Sequence, residues 1–174
     1  MDRRTFLSHA SAAGVVAGLG VLTPAWARSG WKPRSGSAPA RAPALTPTRQ
    51  RPGLVEYDLY VGKTPLWVDG RQGEAVTLNG SVPGPLLRFT EGDEAVIRVH
   101  NTMDEDTSVH WHGLLVPNAM DGVPHITQDP IKPGESFTYE FTARTTGSHM
   151  YHSHHNATDQ VGRGLLGAFI VDPL

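Results

Sequence analysis

The stretches His110-Trp111-His112-Gly113 and Tyr151-His152-Ser153-His154 each set two imidazoles two positions apart. In a β-strand successive side chains point to opposite faces, so both rings of a pair share one face, about 7 Å apart. In a helix, residues at that spacing face away from each other. The valines, aromatics and glycines around both pairs favour strand. Two such strands side by side bring four imidazoles together, with no carboxylate or thiolate in either motif, a donor set that suits copper or zinc better than magnesium or calcium. One His-x-His in a strand is readily an inert surface feature. The second, in the same setting, singles out His110, His112, His152 and His154 from nine histidines as candidate metal ligands. By the same alternation Trp111 is a packing residue turned away from the metals, and His100, His125, His149 and His155 read as surface or supporting groups.

Outward from these stretches the chain reads as short strands broken by turns. Residues 54–61 run largely apolar, Asp69-Gly70 marks a hairpin turn, residues 75–78 form a strand and Asn79-Gly80 turns again. Pro83-Gly84-Pro85 is a rigid corner, residues 86–89 lead into the turn Glu91-Gly92-Asp93, and residues 94–100 resume the strand pattern. A turn-rich stretch, residues 117–134, separates the first histidine strand, residues 108–115, from a cleanly alternating one at residues 137–141; residues 149–154 and 167–171 complete the set. No long helical periodicity and no internal repeat is present. Seven or more short strands at this spacing predict an all-β fold, a Greek-key β-sandwich or barrel of about 120 residues. Its expected core is Val76, Leu78, Val96, Ile97 or Val99, Phe137, Tyr139 or Phe141, and Ile170, with the choice of face left open by the pattern.

Composition bounds the chemistry. The 174 residues include no cysteine, which excludes disulfides, iron–sulfur clusters, thiol catalysis and any copper–thiolate centre within this polypeptide. Residues 1–27 read as a twin-arginine signal peptide. They carry Arg3-Arg4-Thr5-Phe6-Leu7, an apolar Gly- and Ala-rich run over residues 10–22 too short for a permanent membrane span, and Ala25-Trp26-Ala27 for cleavage. That route exports folded proteins, so a periplasmic or secreted metalloprotein is expected. Residues 28–52, with five prolines, six basic residues and no acidic ones, are expected to be a disordered linker. From Gly53 onward the balance reverses to seven Lys/Arg against sixteen Asp/Glu, and so acidic a domain argues against nucleic acid as a partner.

Taken in order, Asn79-Gly80-Ser81-Val82-Pro83-Gly84-Pro85, Glu91-Gly92-Asp93, His110-Trp111-His112-Gly113, Met120-Asp121-Gly122-Val123-Pro124, Pro133-Gly134-Glu135-Ser136-Phe137, Tyr151-His152-Ser153-His154 and Gly164-Leu165-Leu166-Gly167-Ala168-Phe169-Ile170-Val171 form a linked series. With these motifs residues 53–174 resemble the first cupredoxin, or plastocyanin-like, domain of the multicopper oxidases, the bacterial copper-resistance oxidases and laccases in particular. The resemblance implies a cupredoxin-like Greek-key β-sandwich and a trinuclear copper cluster between the first and last cupredoxin domains, each supplying four histidines. It implies that His110 holds the type 2 copper and that His112, His152 and His154 hold the type 3 pair. In the family the cluster reduces dioxygen to water with electrons drawn from a substrate through a type 1 copper in the last domain. Asp121 matches an acidic residue that the family uses to relay protons near the cluster; as a residue type ahead of Gly122 it equally suits a turn.

Copper is the expected metal and zinc the second choice, because copper(II) outranks zinc at imidazole sites. The sequence ends at Leu174, where the family's second domain begins, without a blue-copper cysteine motif or a second histidine set. These residues by themselves are therefore expected to lack oxidase turnover and to need a further cupredoxin domain or subunit for it. The alternative expectation is a stand-alone periplasmic module that stores or delivers copper.

Overall fold

The computed structural model describes residues 44–68 and 70–174; the expected signal peptide and residues 28–43 of the expected linker lie outside the described residues. The elements run β1 (Arg49–Arg51), β2 (Leu54–Val68), β3 (Arg71–Leu78), β4 (Gly84–Thr90), β5 (Glu94–Asn101), β6 (Val109–His112), a 3-10 turn (Asn118–Met120), β7 (Ser136–Thr142), β8 (Gly147–Ser153), α1 (Ala157–Gly162) and β9 (Leu166–Asp172). One sheet has the order β1-β2-β5-β7 with β3 also on β2, and the other the order β4-β9-β8-β6. The all-β sandwich expected from the sequence is thus the fold observed. No helix among the described residues is long and apolar enough to cross a membrane.

Period two puts one face of each strand into the core between the sheets. Tyr57, Leu59 and Val61 of β2, Ala95, Ile97 and Val99 of β5, and Tyr139 and Phe141 of β7 are buried from one side. Leu87 and Phe89 of β4, Trp111 of β6, Tyr151 of β8, and Phe169 and Val171 of β9 meet them from the other. Trp111 stands edge-on to Tyr139 with ring centroids 5.0 Å apart, and Phe89 stacks on Phe169 at 4.8 Å. Phe137 packs half-buried against the core, its ring centroid 4.7 Å from that of Tyr139. Val96 and Ile170, also expected in the core, are half-buried on the other faces, and Phe169 and Val171 take the place of Ile170. In residues 167–171 every side chain is apolar or absent, so the alternation carries no phase. The tertiary pairing of Tyr151 with Gly167 sets it: a Cβ at Gly167 would overlap the Tyr151 ring.

Two further features depart from expectation. The last part of the presumed linker is drawn into the domain. β1 pairs β2 antiparallel with Arg49 opposite Glu56, their side chains 3.4 Å apart, and Ala44 bridges Leu86 of the other sheet. Composition argues only that such a segment cannot build its own core; it says nothing of a basic strand finding an acidic partner on an existing edge. The second feature is α1, six residues long and too short for helical periodicity to reveal; Asn156, in the left-handed region at φ 45°, turns the chain into it from β8.

Candidate metal centre

β6 and β8 pair antiparallel, with His110 opposite His152 and Trp111 opposite Tyr151. One face of this two-strand unit therefore carries aromatic rings into the core and the other carries imidazoles outward. Ligand nitrogens of His110, His112 and His152 all lie within 4.8 Å of one another. Ring centroids are 5.8 Å apart for His110 and His112, and 5.4 Å for His152 with either of them. His154 stands slightly apart. β8 ends at Ser153, so strand alternation does not place His154, yet its ring centroid is 5.4 Å from that of His110 and 6.3 Å from that of His152.

Hydrogen bonds orient the rings. The Asp121 carbonyl lies 2.7 Å from His110 Nδ1, and the Ser153 carbonyl 2.8 Å from His152 Nδ1. A carbonyl only accepts, so each Nδ1 carries the hydrogen and each Nε2 is left with a free lone pair. His112 Nδ1 lies 3.2 Å from His152 Nε2. Two ring nitrogens this close either share one hydrogen or face one cation. Burial, ahead of repulsion from the neighbouring imidazoles, lowers the His152 pKa, which keeps this ring a neutral donor.

Two glycines and a buried amide hold the frame. Gly122, at φ 77°, lies so close to β6 that an added Cβ would be 2.6 Å from the Val109 carbonyl carbon, and this contact brings the Asp121 carbonyl to His110. The Asp121 carboxylate sits 3.4 Å from the same ring nitrogen, half-buried. Gly113, at φ 86°, ends β6 directly over the His149 ring, whose Nε2 donates to the Thr145 carbonyl at 2.9 Å. Gln160 of α1 is fully buried. Its Oε1 accepts from Ser153 Oγ at 2.6 Å and from Thr107 Oγ1 at 2.9 Å, and its Nε2 donates to the Asp106 carbonyl at 2.8 Å. Ser153 in turn accepts from the His155 N–H at 3.2 Å, so the segment bearing His154 is anchored from beneath. Sequence reasoning missed Gln160, because nothing local marks a glutamine in a short helix as the partner of a hydroxyl in β8.

Among the described residues the other histidines take no part in this cluster. His100, in the other sheet, lies between Asp58 Oδ1 at 2.9 Å and Ser136 Oγ at 2.8 Å and stacks on Tyr60. His125 occupies the left-handed region at φ 64° in the loop that follows Asp121. The donor set at the cluster, imidazole nitrogens with two of the rings held by carbonyls and with no thiolate, fits copper or zinc.

Residues 61–174 match the family model described as multicopper oxidase. The chain is 42% identical over 172 residues to copper resistance protein A of Pseudomonas syringae pv. tomato, covering 98% of this chain and 26% of that protein. It is 37% identical over 171 residues to copper resistance protein A of Escherichia coli, with the same two coverages of 98% and 26%. The crystal structure of a multicopper oxidase from Pseudomonas thermotolerans superposes with a TM-score of 0.67 at 38% identity, over 69% of this chain and 30% of that one. The chain thus spans about a quarter of the length of these curated relatives. With its paired histidine strands set on a two-sheet sandwich, the chain belongs to the multicopper oxidase family.

Proposed function

We propose that this cupredoxin-like domain supplies half of a trinuclear copper centre, His110 as the type 2 ligand and His112, His152 and His154 as type 3 ligands. The observation that carries the reading is the approach of three ligand nitrogens within 4.8 Å on paired strands. Copper bound there, completed by the histidines of a further cupredoxin domain, would supply the binding and four-electron reduction of dioxygen. The residues of this chain do the positioning. The Asp121 and Ser153 carbonyls hold His110 and His152 with Nε2 presented. The approach of His112 Nδ1 to His152 Nε2, at 3.2 Å, supports these two rings serving one ion. Asp121 is our candidate for passing protons through water, since its carboxylate stands at the edge of the cluster, 3.4 Å from His110.

Copper is favoured over zinc by the affinity order at imidazole sites and by the copper resistance proteins among the relatives. Oxidase turnover belongs, on this reading, to an assembly larger than these residues, located in the periplasm after twin-arginine export. Export is tested by changing Arg3 and Arg4 together to Lys: the protein should then stay in the cytoplasm, and unimpaired export would refute the route. The copper reading is tested by titrating the chain with copper(II). Wild type should bind, and His110→Ala, His112→Ala and His152→Ala should each weaken binding with the fold intact; copper affinity indifferent to all three would sink it.

A further inference from the structure

We infer that Met150 is a third ligand, beside His112 and His152, of a seat for copper(I) in this chain. The inference rests on the reading above that these histidines bind copper, and adds a donor and an oxidation state to it. Met150 is the direct partner of His112 across the β6–β8 ladder and stands two residues before His152 in β8. Alternation therefore puts its side chain on the imidazole face, the face that carries the His112 and His152 nitrogens 3.2 Å apart. On its other flank Met150 is paired with Ala168 of β9. Ala168 presents only a methyl group there, and Met150 is half-buried. With three rotatable side-chain bonds, methionine adapts to such a position at small cost.

The chemistry selects the ion. A thioether is a soft, uncharged donor, which favours copper(I) over zinc and copper(II), whereas imidazole serves all three. Two neutral imidazoles and one thioether suit a monovalent ion that accepts few ligands. The other described methionines are committed elsewhere: Met103 is buried in the core, and Met120 Sδ accepts the Glu140 N–H at 3.3 Å. The chain contains no cysteine, so any sulfur bound to its copper must come from methionine.

The test uses the 174-residue chain under anaerobic conditions, with copper(I) buffered by bicinchoninate and silver(I) as a redox-inert substitute. The X-ray absorption spectrum of the copper(I) form of wild type should contain a sulfur shell. Met150→Leu conserves volume and should leave melting and copper(II) affinity unchanged. It should remove the sulfur shell and weaken copper(I) and silver(I) by about tenfold, equivalent to about 1.4 kcal/mol. A wild-type spectrum without sulfur, or unchanged copper(I) affinity in Met150→Leu, overturns the inference. Should His112→Ala and His152→Ala weaken both oxidation states while Met150→Leu weakens neither, the copper reading survives and the methionine ligand does not. Copper binding indifferent to the histidine variants as well would overturn both.

Discussion

Replacing Gly122 by alanine isolates the contact that delivers the Asp121 carbonyl to His110. The new Cβ would stand 2.6 Å from the Val109 carbonyl carbon and 3.0 Å from His110 Cα, with the Val109 oxygen nearer still. Ordinary carbon–carbon contact begins near 3.5 Å, so the loop must retreat by about 1 Å or more. That retreat takes the Asp121–His110 hydrogen bond from 2.7 Å to or past the limit of a useful bond. Alanine at φ 77° adds backbone strain of about 1–2 kcal/mol, partly offset by about 0.4–1 kcal/mol of lost freedom in the unfolded chain. Gly134→Ala supplies the control, because Gly134 has φ 79° and no atom within 4 Å of its would-be Cβ. The two variants share the strain term and differ in the clash and the lost hydrogen bond. Gly122→Ala should therefore lose about 1–3 kcal/mol more than Gly134→Ala. It should also weaken copper(II) by about 10–100-fold, the usual effect of freeing a metal-bound imidazole from its outer partner. Thermal melting, at about 4 °C per kcal/mol, and copper competition titration read the two effects. Equal melting shifts in the two variants, together with unchanged copper affinity in Gly122→Ala, would refute the claim that this loop is seated on β6 and orients His110.

Gln160→Leu strips the Thr107 hydroxyl and the Asp106 carbonyl of their partner, at about 1–3 kcal/mol for each buried group left unpaired, while the Ser153 hydroxyl turns to the His155 carbonyl at 2.9 Å. Chemical denaturation should show a loss of several kcal/mol and hydrogen exchange a faster His155 amide; a midpoint close to wild type would contradict the network. At the opposite sheet, burial pushes the Asp58 carboxyl up, but the His100 hydrogen bond and the Arg98 charge outweigh it and the net shift is downward. A carboxyl depressed on folding contributes stability that is present above its unfolded value, about 3.9, and lost as pH falls through its folded value. Asp58→Asn should accordingly lower the melting temperature near neutral pH and bring it level with wild type in strong acid. A constant difference across that range would assign the effect to something other than the carboxylate's charge.

Period two in the sequence is sufficient to place Trp111 in the core and His110 and His112 on the opposite face, because the phase is marked there by polar and apolar residues in strict turn. The strand around Tyr139 alternates as cleanly, and packing against Trp111 settles that Tyr139 and Phe141 face the core. It fails over residues 167–171, where an unbroken apolar run leaves both faces equivalent until Tyr151 packs on Gly167. The existence of two histidine pairs is likewise local information. Their juxtaposition is not: His110 meets His152 because β6 and β8 are neighbours at one edge of a sheet, and neither strand names its partner. His154 joins the cluster from beyond the end of β8, held there by Ser153 and Gln160, and Gln160 also binds Thr107 from 53 residues away along the chain. The basic strand β1 belongs to the domain for the same reason, through Glu56 on an edge it does not itself encode. Residue type and spacing thus determined the candidate donors, their faces and the class of fold; tertiary structure alone decided which of these imidazoles meet and at what distance, because register between strands is set by packing across the whole sandwich and not by any segment of it.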